Sequence, residues 1–274
     1  MRISTTGFRI LLGAMSVLAT AFSPSCSTSK GGNFNLYNVN KDIRLGKEVK
    51  REIERDHGKY PILPETGNEA VYGFLRHVAG KILDSGKVEH RNDFAWEIHI
   101  LQDDETLNAF CTPGGYIYVY TGLMLFLDTE DQLAGVLGHE IAHADLRHST
   151  RQLTSRNSAA VFTTVLTNNA EPGVLENVAL GLLSLKFSRS HETEADLKSV
   201  EYLCGSGYKA GAAAEFFKKI EGAASLPAFV STHPSPKNRV KRIEEKESQM
   251  DCPQAQSGSS EYARVKRLLR QKGD

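Results

Sequence analysis

Apolar residues return at three- and four-residue steps along several stretches of this chain, and each such stretch predicts a helix. Asp42 to His57 sets Ile43, Leu45, Val49 and Ile53 in a stripe among many charges. Tyr60-Pro61 and Leu63-Pro64 end it, because proline cannot donate to a helical ladder. Asn68 to Leu83 repeats the pattern with Val71, Phe74, Leu75, Val78 and Ile82. Asp131 to Arg147 holds no proline and places Leu133, Val136, Leu137, Ile141 and Ala144 on an amphipathic helix. Asp128 or Thr129 can cap its start, with Glu130 and Asp131 in the first turn. Tyr208 to Ala223 predicts a further amphipathic helix built on Ala213, Phe216, Phe217 and Ile220.

Two stretches follow a period of two instead. Trp96 to Leu101 alternates and predicts a strand that Asp103 and Asp104 end. Gly114-Gly115 then lead into Tyr116 to Tyr120, an aromatic and β-branched run suited to a second strand. Leu153 to Leu185 is rich in Ala, Val and Leu but interrupted by Asn168, Asn169, Pro172 and Gly173. Helices packed about the middle of the chain, or a mobile lid, fit it, and no uninterrupted apolar run is long enough to span a bilayer. From Ser248 the chain is polar with a Gly-Ser patch. Glu261 to Gln271 predicts a short basic helix, read as a solvated appendage.

Residues 1–25 form a targeting segment and are set aside from the fold. Arg2 and Arg9 precede an apolar run from Ile10 to Phe22. Ala19-Thr20-Ala21 suits ordinary signal cleavage, whereas Ser23-Pro24-Ser25-Cys26 resembles a bacterial lipobox, imperfect at Ser23. On the lipobox reading Cys26 becomes the lipidated first residue, and residues 26–40, rich in Ser, Gly and Asn, form a polar linker. Both readings export the protein, and the expected location is the periplasm of a Gram-negative bacterium, lipid-anchored at the outer membrane. Beyond Cys26 three cysteines are left, so at most one intrachain disulfide can form. Cys204 with Cys252 is the pair read here, against three unpaired thiols, and Cys111 is read as packing.

With 33 basic and 33 acidic side chains in 274 residues the chain is formally neutral. A dedicated nucleic-acid binder would carry a basic excess, so that class is set aside. Chemistry concentrates in VLGHEIAHADLRHST, residues 136–150. His139, Glu140 and His143 spell H-E-x-x-H. On a helix positions i and i+4 share a face, so both imidazoles can reach one metal ion with Glu140 beside them as a base for water. Catalytic zinc usually takes a third protein ligand. The metzincin pattern would need Gly at 146 and His at 149; Leu146 and Ser149 exclude it. Downstream, FSRSHETEADL at 187–197 offers Glu192, Glu194 and Asp196. Glu192 and Asp196 share a helical face, while Glu194 is rotated by about 200° from Glu192. One face can therefore supply a ligand, Glu192, and a carboxylate that orients a ligand imidazole, Asp196. His148, five residues beyond His143, falls off the ligand face. His57, His77, His90 and His99 are read as structural or exposed.

Four blocks in order then resemble peptidase family M48, the gluzincin group of zinc metallopeptidases that includes CAAX-processing proteases and bacterial periplasmic quality-control proteases. They are NAFCTPGGYIYVYTGLM at 108–124, LGHEIAHADLRHS at 137–149, FSRSHETEADLKSV at 187–200 and STHPSPKNRV at 231–240. The resemblance covers roughly Asp42 to Glu245. It implies a zincin-like α+β fold, mostly helical, with a small mixed sheet whose edge strand flanks the zinc helix. It implies a metallopeptidase domain at 41–246 and leaves 247–274 as a polar tail. It implies one Zn2+ held by His139, His143 and Glu192, with Glu140 catalytic and Asp196 and Arg239 in support. His233 is then either a hydrogen-bond donor to the transition state or a self-inhibitory fourth ligand, or a plain loop histidine. The resemblance also makes Tyr116, Ile117, Tyr118 and Val119 the edge strand that lines the substrate cleft, and gives His148 a structural role.

The reaction expected is hydrolysis of peptide bonds in exported, misfolded or misassembled envelope proteins. Polypeptide substrates are the partners; the membrane is reached by a lipid anchor only. Two other readings remain at this stage. One is a zinc-bound chaperone or assembly factor for outer-membrane proteins, its proteolysis held off by His233. The other is a scaffold that binds no metal.

Overall fold

The computed structural model describes residues 34–156, 174–221, 228–234, 237–255 and 259–271. The targeting segment 1–25, Cys26, most of the linker, and the Pro172-Gly173 break with any lid at 157–173 lie outside the described residues. Helix α1 is Val39–Arg55, α2 Glu69–Leu83, α3 Thr121–Phe126, α4 Glu130–Asp145 and α5 His148–Arg156. The later helices are α6 Val174–Leu183, α7 Arg189–Cys204, α8 Ala212–Glu221, α9 Ala228–Thr232, α10 Arg239–Ser248 and α11 Ser259–Arg270. Three strands, β1 Glu97–Leu101, β2 Ala109–Thr112 and β3 Tyr116–Tyr120, complete an α+β fold that is mostly helical.

The sheet is mixed, in the order β1-β3-β2. β1 runs parallel to β3 with Glu97 opposite Tyr116, and β2 runs antiparallel to β3 with Ala109 opposite Val119. The β2–β3 turn needs positive φ at Gly114 and Gly115, 78° and 83°, which glycine adopts without a Cβ clash. β3 alternates strictly between two cores. Ile117 and Val119 join the apolar cluster of α2 and α4, while Tyr116, Tyr118 and Tyr120 join that of α1 and α6. Burial on both faces explains why this strand is apolar at every position.

This topology corrects one expectation. Tyr116 to Val119 is the central strand, hydrogen-bonded on both sides and buried throughout, so it has no free ladder groups for a peptide. The edge beside α4 belongs to β2. Tyr120 N–H donates to Asn108 O, so by the antiparallel alternation Ala109 and Cys111 turn their own N–H and C=O groups to the open side.

α4 differs from its expected amphipathic character. Every residue from Gln132 to Asp145 is buried, because α2, α7, α8 and β2 surround it. Gly135 permits the closest of these approaches: a Cβ there would stand 2.5 Å from Ala213 N. The C-terminal tail is corrected as well. Residues 259–270 do not form a solvated appendage. Tyr262, Val265 and Leu269 are buried in the main core, Tyr262 stacks on Phe74 at 5.5 Å, and its hydroxyl donates to Met124 O. Full burial of one such side chain contributes on the order of 2 kcal/mol, ample reason for the basic helix to dock. At the other end the globule begins before residue 41: Tyr37 is buried and Asn35 Nδ2 donates to Thr150 Oγ1. The Cys204–Cys252 disulfide is present, tying the end of α7 to the segment before α11, and Cys111 is a buried free thiol.

Candidate metal centre

Two helices bring the site together. α4 starts where Thr129 Oγ1 accepts from Gln132 N–H, and it carries His139, Glu140 and His143 through the core. α7 starts at Ser188, whose Oγ accepts from His191 N–H, and this puts Glu192 in the first turn. A carboxylate there is favoured by the unpaired N–H groups of the helix start. Asp196, one turn on, falls on the same face, while Glu194 points elsewhere, as the helical spacing requires.

His139 Nε2 and His143 Nε2 approach to 3.0 Å. Glu192 closes the group, with Oε2 3.4 Å from His139 Nε2 and Oε1 3.4 Å from His143 Nε2. His233 Nδ1 lies 3.1 Å from Glu192 Oε1, and its Nε2 lies 3.6 Å from Glu140 Oε1. One ligand atom from each of His139, His143, Glu192 and His233 lies within 4.8 Å of the others. No other such group occurs among the described residues. Behind it, Asp196 Oδ1 stands 3.0 Å from His139 Nδ1, and Arg239 donates to both Asp196 oxygens at 3.1 and 2.6 Å. The Arg239 guanidinium also reaches Glu192 at 3.4 Å and covers the Phe217 ring.

Burial dominates the electrostatics. It pushes the Glu140 carboxyl up, partly offset by His233 and His139. It pushes His143 well below the ordinary histidine range. At His139 burial also opposes the charge, yet hydrogen bonds to Asp196 and Glu192 win and raise it to about 9. At Glu192 burial opposes ionisation, but His233 and His143 hold the carboxyl far below its usual range.

The donor set fits a divalent cation. Glu140, Glu192 and Asp196 are three fully buried carboxylates, and Arg239 is the one guanidinium set among them. With all three ionised and the imidazoles neutral, the state a bound cation would favour, they leave a deficit of two positive charges where unpaired charge costs several kcal/mol; without a cation the raised Glu140 and His139 shed that deficit. Both Glu140 oxygens and His233 Nε2 are buried with no hydrogen-bond partner. Two facing imidazole nitrogens and a carboxylate suit zinc and other borderline divalent ions. His139, His143 and Glu192 can hold such an ion, with His233 within reach.

A cavity of about 170 Å³ opens onto this cluster. Phe110 and Thr112 of β2 line one wall, Leu182, Leu185 and Phe187 the other, and His233 the floor. Asn108 Oδ1 and Thr112 Oγ1, at the two ends of β2, are buried without a partner.

His139, Glu140, His143, Glu192, Asp196, His233 and Arg239 thus converge from four elements. Of the four residues expected in the cleft, Tyr116, Ile117, Tyr118 and Val119, none lines the cavity. Sequence reasoning passed over Asn108, Phe110 and Thr112, although the short run before Gly114-Gly115 was legible as a hairpin arm. It also missed that His148 touches His143, since the helix was taken as continuous.

Comparison with known proteins agrees with this geometry. The pattern of Peptidase family M48 matches residues 72–247. Over 219 residues the chain is 32% identical to the Mitochondrial metalloendopeptidase OMA1 of Schizosaccharomyces pombe, which covers 77% of this chain and 63% of that protein. It is 26% identical over 286 residues to the Beta-barrel assembly-enhancing protease of Escherichia coli, covering 94% of this chain and 55% of that protein. The chain therefore spans less than two thirds of the length of either relative.

A ligand that binds only the folded state stabilises it. A divalent metal at a hundredfold its Kd should raise the unfolding free energy by about 2.7 kcal/mol. Thermal melts of metal-free protein with and without added zinc should show this as an upward shift, and Glu192→Gln should lose most of it. A wild-type protein whose melting point ignores metal would contradict the assignment.

Proposed function

The chain belongs to peptidase family M48, and on that premise we propose that it is a zinc-dependent endopeptidase acting on unfolded polypeptide. The observation that carries the proposal is the convergence of His139 Nε2, His143 Nε2 and the Glu192 carboxylate in a buried space short of positive charge. Zinc bound there would supply Lewis acidity to the scissile carbonyl and to water.

The chain's own groups do the rest. Glu140 has two unpartnered oxygens, and burial raises its carboxyl toward the range useful for general base work. It takes the proton of the attacking water and delivers it to the leaving amine nitrogen. Asp196, braced by Arg239, holds the His139 ring so that Nε2 faces the cluster. The substrate lies extended along β2, where Ala109 and Cys111 offer free backbone groups and Asn108 and Thr112 offer unpartnered side chains. Side chains of the substrate enter the cavity between Phe110, Leu182 and Phe187, which suits apolar residues. Such residues are exposed on unfolded chains and buried on folded ones, so the cleft selects misfolded protein.

His233 has a second role open to it. Its ring sits inside the ligand cluster, 3.1 Å from Glu192. In that position it could serve as a fourth donor to a bound cation, in competition with water. This supports the runner-up reading, an assembly factor with latched proteolysis.

The name of the Escherichia coli relative places that protein at β-barrel assembly, and exported envelope proteins are the substrate class proposed here. The mitochondrial relatives act in another compartment, so export of this chain rests on residues 1–26. Among the described residues no helix is long and apolar enough to cross a membrane; the lipid anchor proposed at Cys26 rests on the lipobox-like Ser23-Pro24-Ser25-Cys26.

Wild type and Glu140→Gln should each bind about one zinc, and only wild type should cleave casein. General base removal should cost at least about 100-fold in rate. His233→Ala should keep its metal and, if the ring is a latch, cut faster than wild type. Zinc-loaded wild type that cuts no slower after Glu140→Gln would overturn the mechanism. For the anchor, a palmitate analogue fed to expressing cells should label wild type and not Cys26→Ala; label on both would remove Cys26 from that role.

A further inference from the structure

His143 differs from His139 in what stands behind it. The His139 ring is backed directly by a carboxylate, Asp196 Oδ1 at 3.0 Å from Nδ1. Behind His143 the partner is another imidazole: His148 Nδ1 lies 2.9 Å from His143 Nδ1. His148 Nε2 in turn lies 3.2 Å from Glu194 Oε2, which also accepts from Arg151 at 3.0 Å. We propose that His148 and Glu194 are positioning residues for the metal centre, a carboxylate–imidazole relay that fixes the ring and tautomer of His143. The inference rests on the metal-centre reading above and assigns it two further residues.

Proton placement follows once the cluster holds a cation. His143 Nε2 faces His139 and Glu192, so its lone pair is then given to the cation and its proton must sit on Nδ1. That N–H needs an acceptor, and the atom in front of it is His148 Nδ1. His148 must therefore carry its own proton on Nε2, where the Glu194 carboxylate accepts it. Each nitrogen in the chain has one role and none is left over. Arg151 donates to the same Glu194 oxygen that His148 Nε2 meets, and so holds the carboxylate in place. Flanking rings set the planes: Phe187 stacks on His143 at 4.0 Å, and His191 stacks on His148 at 4.5 Å.

Local backbone explains how His148 arrives there. On one continuous helix, five residues would rotate it by about 140° from His143. The helix instead stops at Leu146, and Arg147 takes φ 57°, a left-handed conformation that costs a non-glycine residue energy. Arg147 is held in it by Asp42 and by the Tyr37 carbonyl. α5 then starts with His148 turned back against His143, fully buried. The break thus converts an off-face position into a neighbour of the ligand.

Zinc affinity, measured by competition with a chelator, tests the relay apart from catalysis. His148→Phe keeps the ring shape and removes both nitrogens, and should weaken zinc binding on the order of 10- to 100-fold. His148→Asn restores an acceptor toward His143 and should recover most of that loss. Glu194→Gln still accepts from His148 and should stay near wild type, whereas Glu194→Ala should not. Should His148→Phe fail to fold, the Glu194 pair decides by itself. Nitrogen-15 NMR of the histidine rings in zinc-loaded wild type should show His148 protonated on Nε2. Equal affinity of wild type and His148→Phe would overturn the relay. So would an Asn variant no better than Phe, or a His148 proton on Nδ1. If wild type takes up no zinc, it is the metal-centre reading that fails and the relay falls with it, whereas zinc bound equally well by wild type and His148→Phe fails the relay alone.

Discussion

Three buried carboxylates facing one buried guanidinium set the terms for the whole molecule. Glu140, Glu192 and Asp196 lie in the core, and Arg239 alone among the site's groups brings a fixed positive charge. A protein interior tolerates such a deficit only when something compensates it. The Nε2 atoms of His139 and His143 converge on that place, 3.0 Å apart. The cluster makes physical sense as a cation site and little sense as a structural polar core, because two Glu140 oxygens and one His233 nitrogen remain unpartnered.

The fold is arranged to hold that cluster still. α4 passes through the core with neighbours on all sides, so its side chains have little freedom. Gly135 lets α8 press against it, and the disulfide ties the far end of α7 to the segment that leads into α11. Both imidazoles of the cluster have a carboxylate and an arginine behind them, Asp196 with Arg239 in one case and Glu194 with Arg151, through His148, in the other. The strand at the edge of the sheet, β2, lines the cavity with its outer ladder groups unpaired by any strand. A rigidly held cluster of candidate ligands next to an edge strand is an arrangement that suits peptide hydrolysis.

Much of this was legible in the sequence, and the reasons are local. His139 and His143 at i and i+4, and Glu192 and Asp196 at the same interval, follow from helical geometry alone. The resemblance linked the two pairs and added His233 and Arg239, and the folded chain brings all of them together. What was not legible depended on tertiary context. Whether Tyr116 to Val119 lies at an edge or in the middle turns on where β2 pairs, which no local pattern states. The basic helix α11 was misjudged because five of its residues are charged, four of them basic, although Tyr262, Val265 and Leu269 were spaced to dock. His148 was misplaced because the left-handed Arg147 is fixed by Asp42, more than a hundred residues earlier in the chain.

The most direct test is diffraction from zinc-grown crystals, recorded on both sides of the zinc absorption edge. The account predicts one anomalous peak per chain, about 2.0 to 2.2 Å from His139 Nε2, His143 Nε2 and a Glu192 oxygen. A peak elsewhere, or none between α4 and α7, would contradict it.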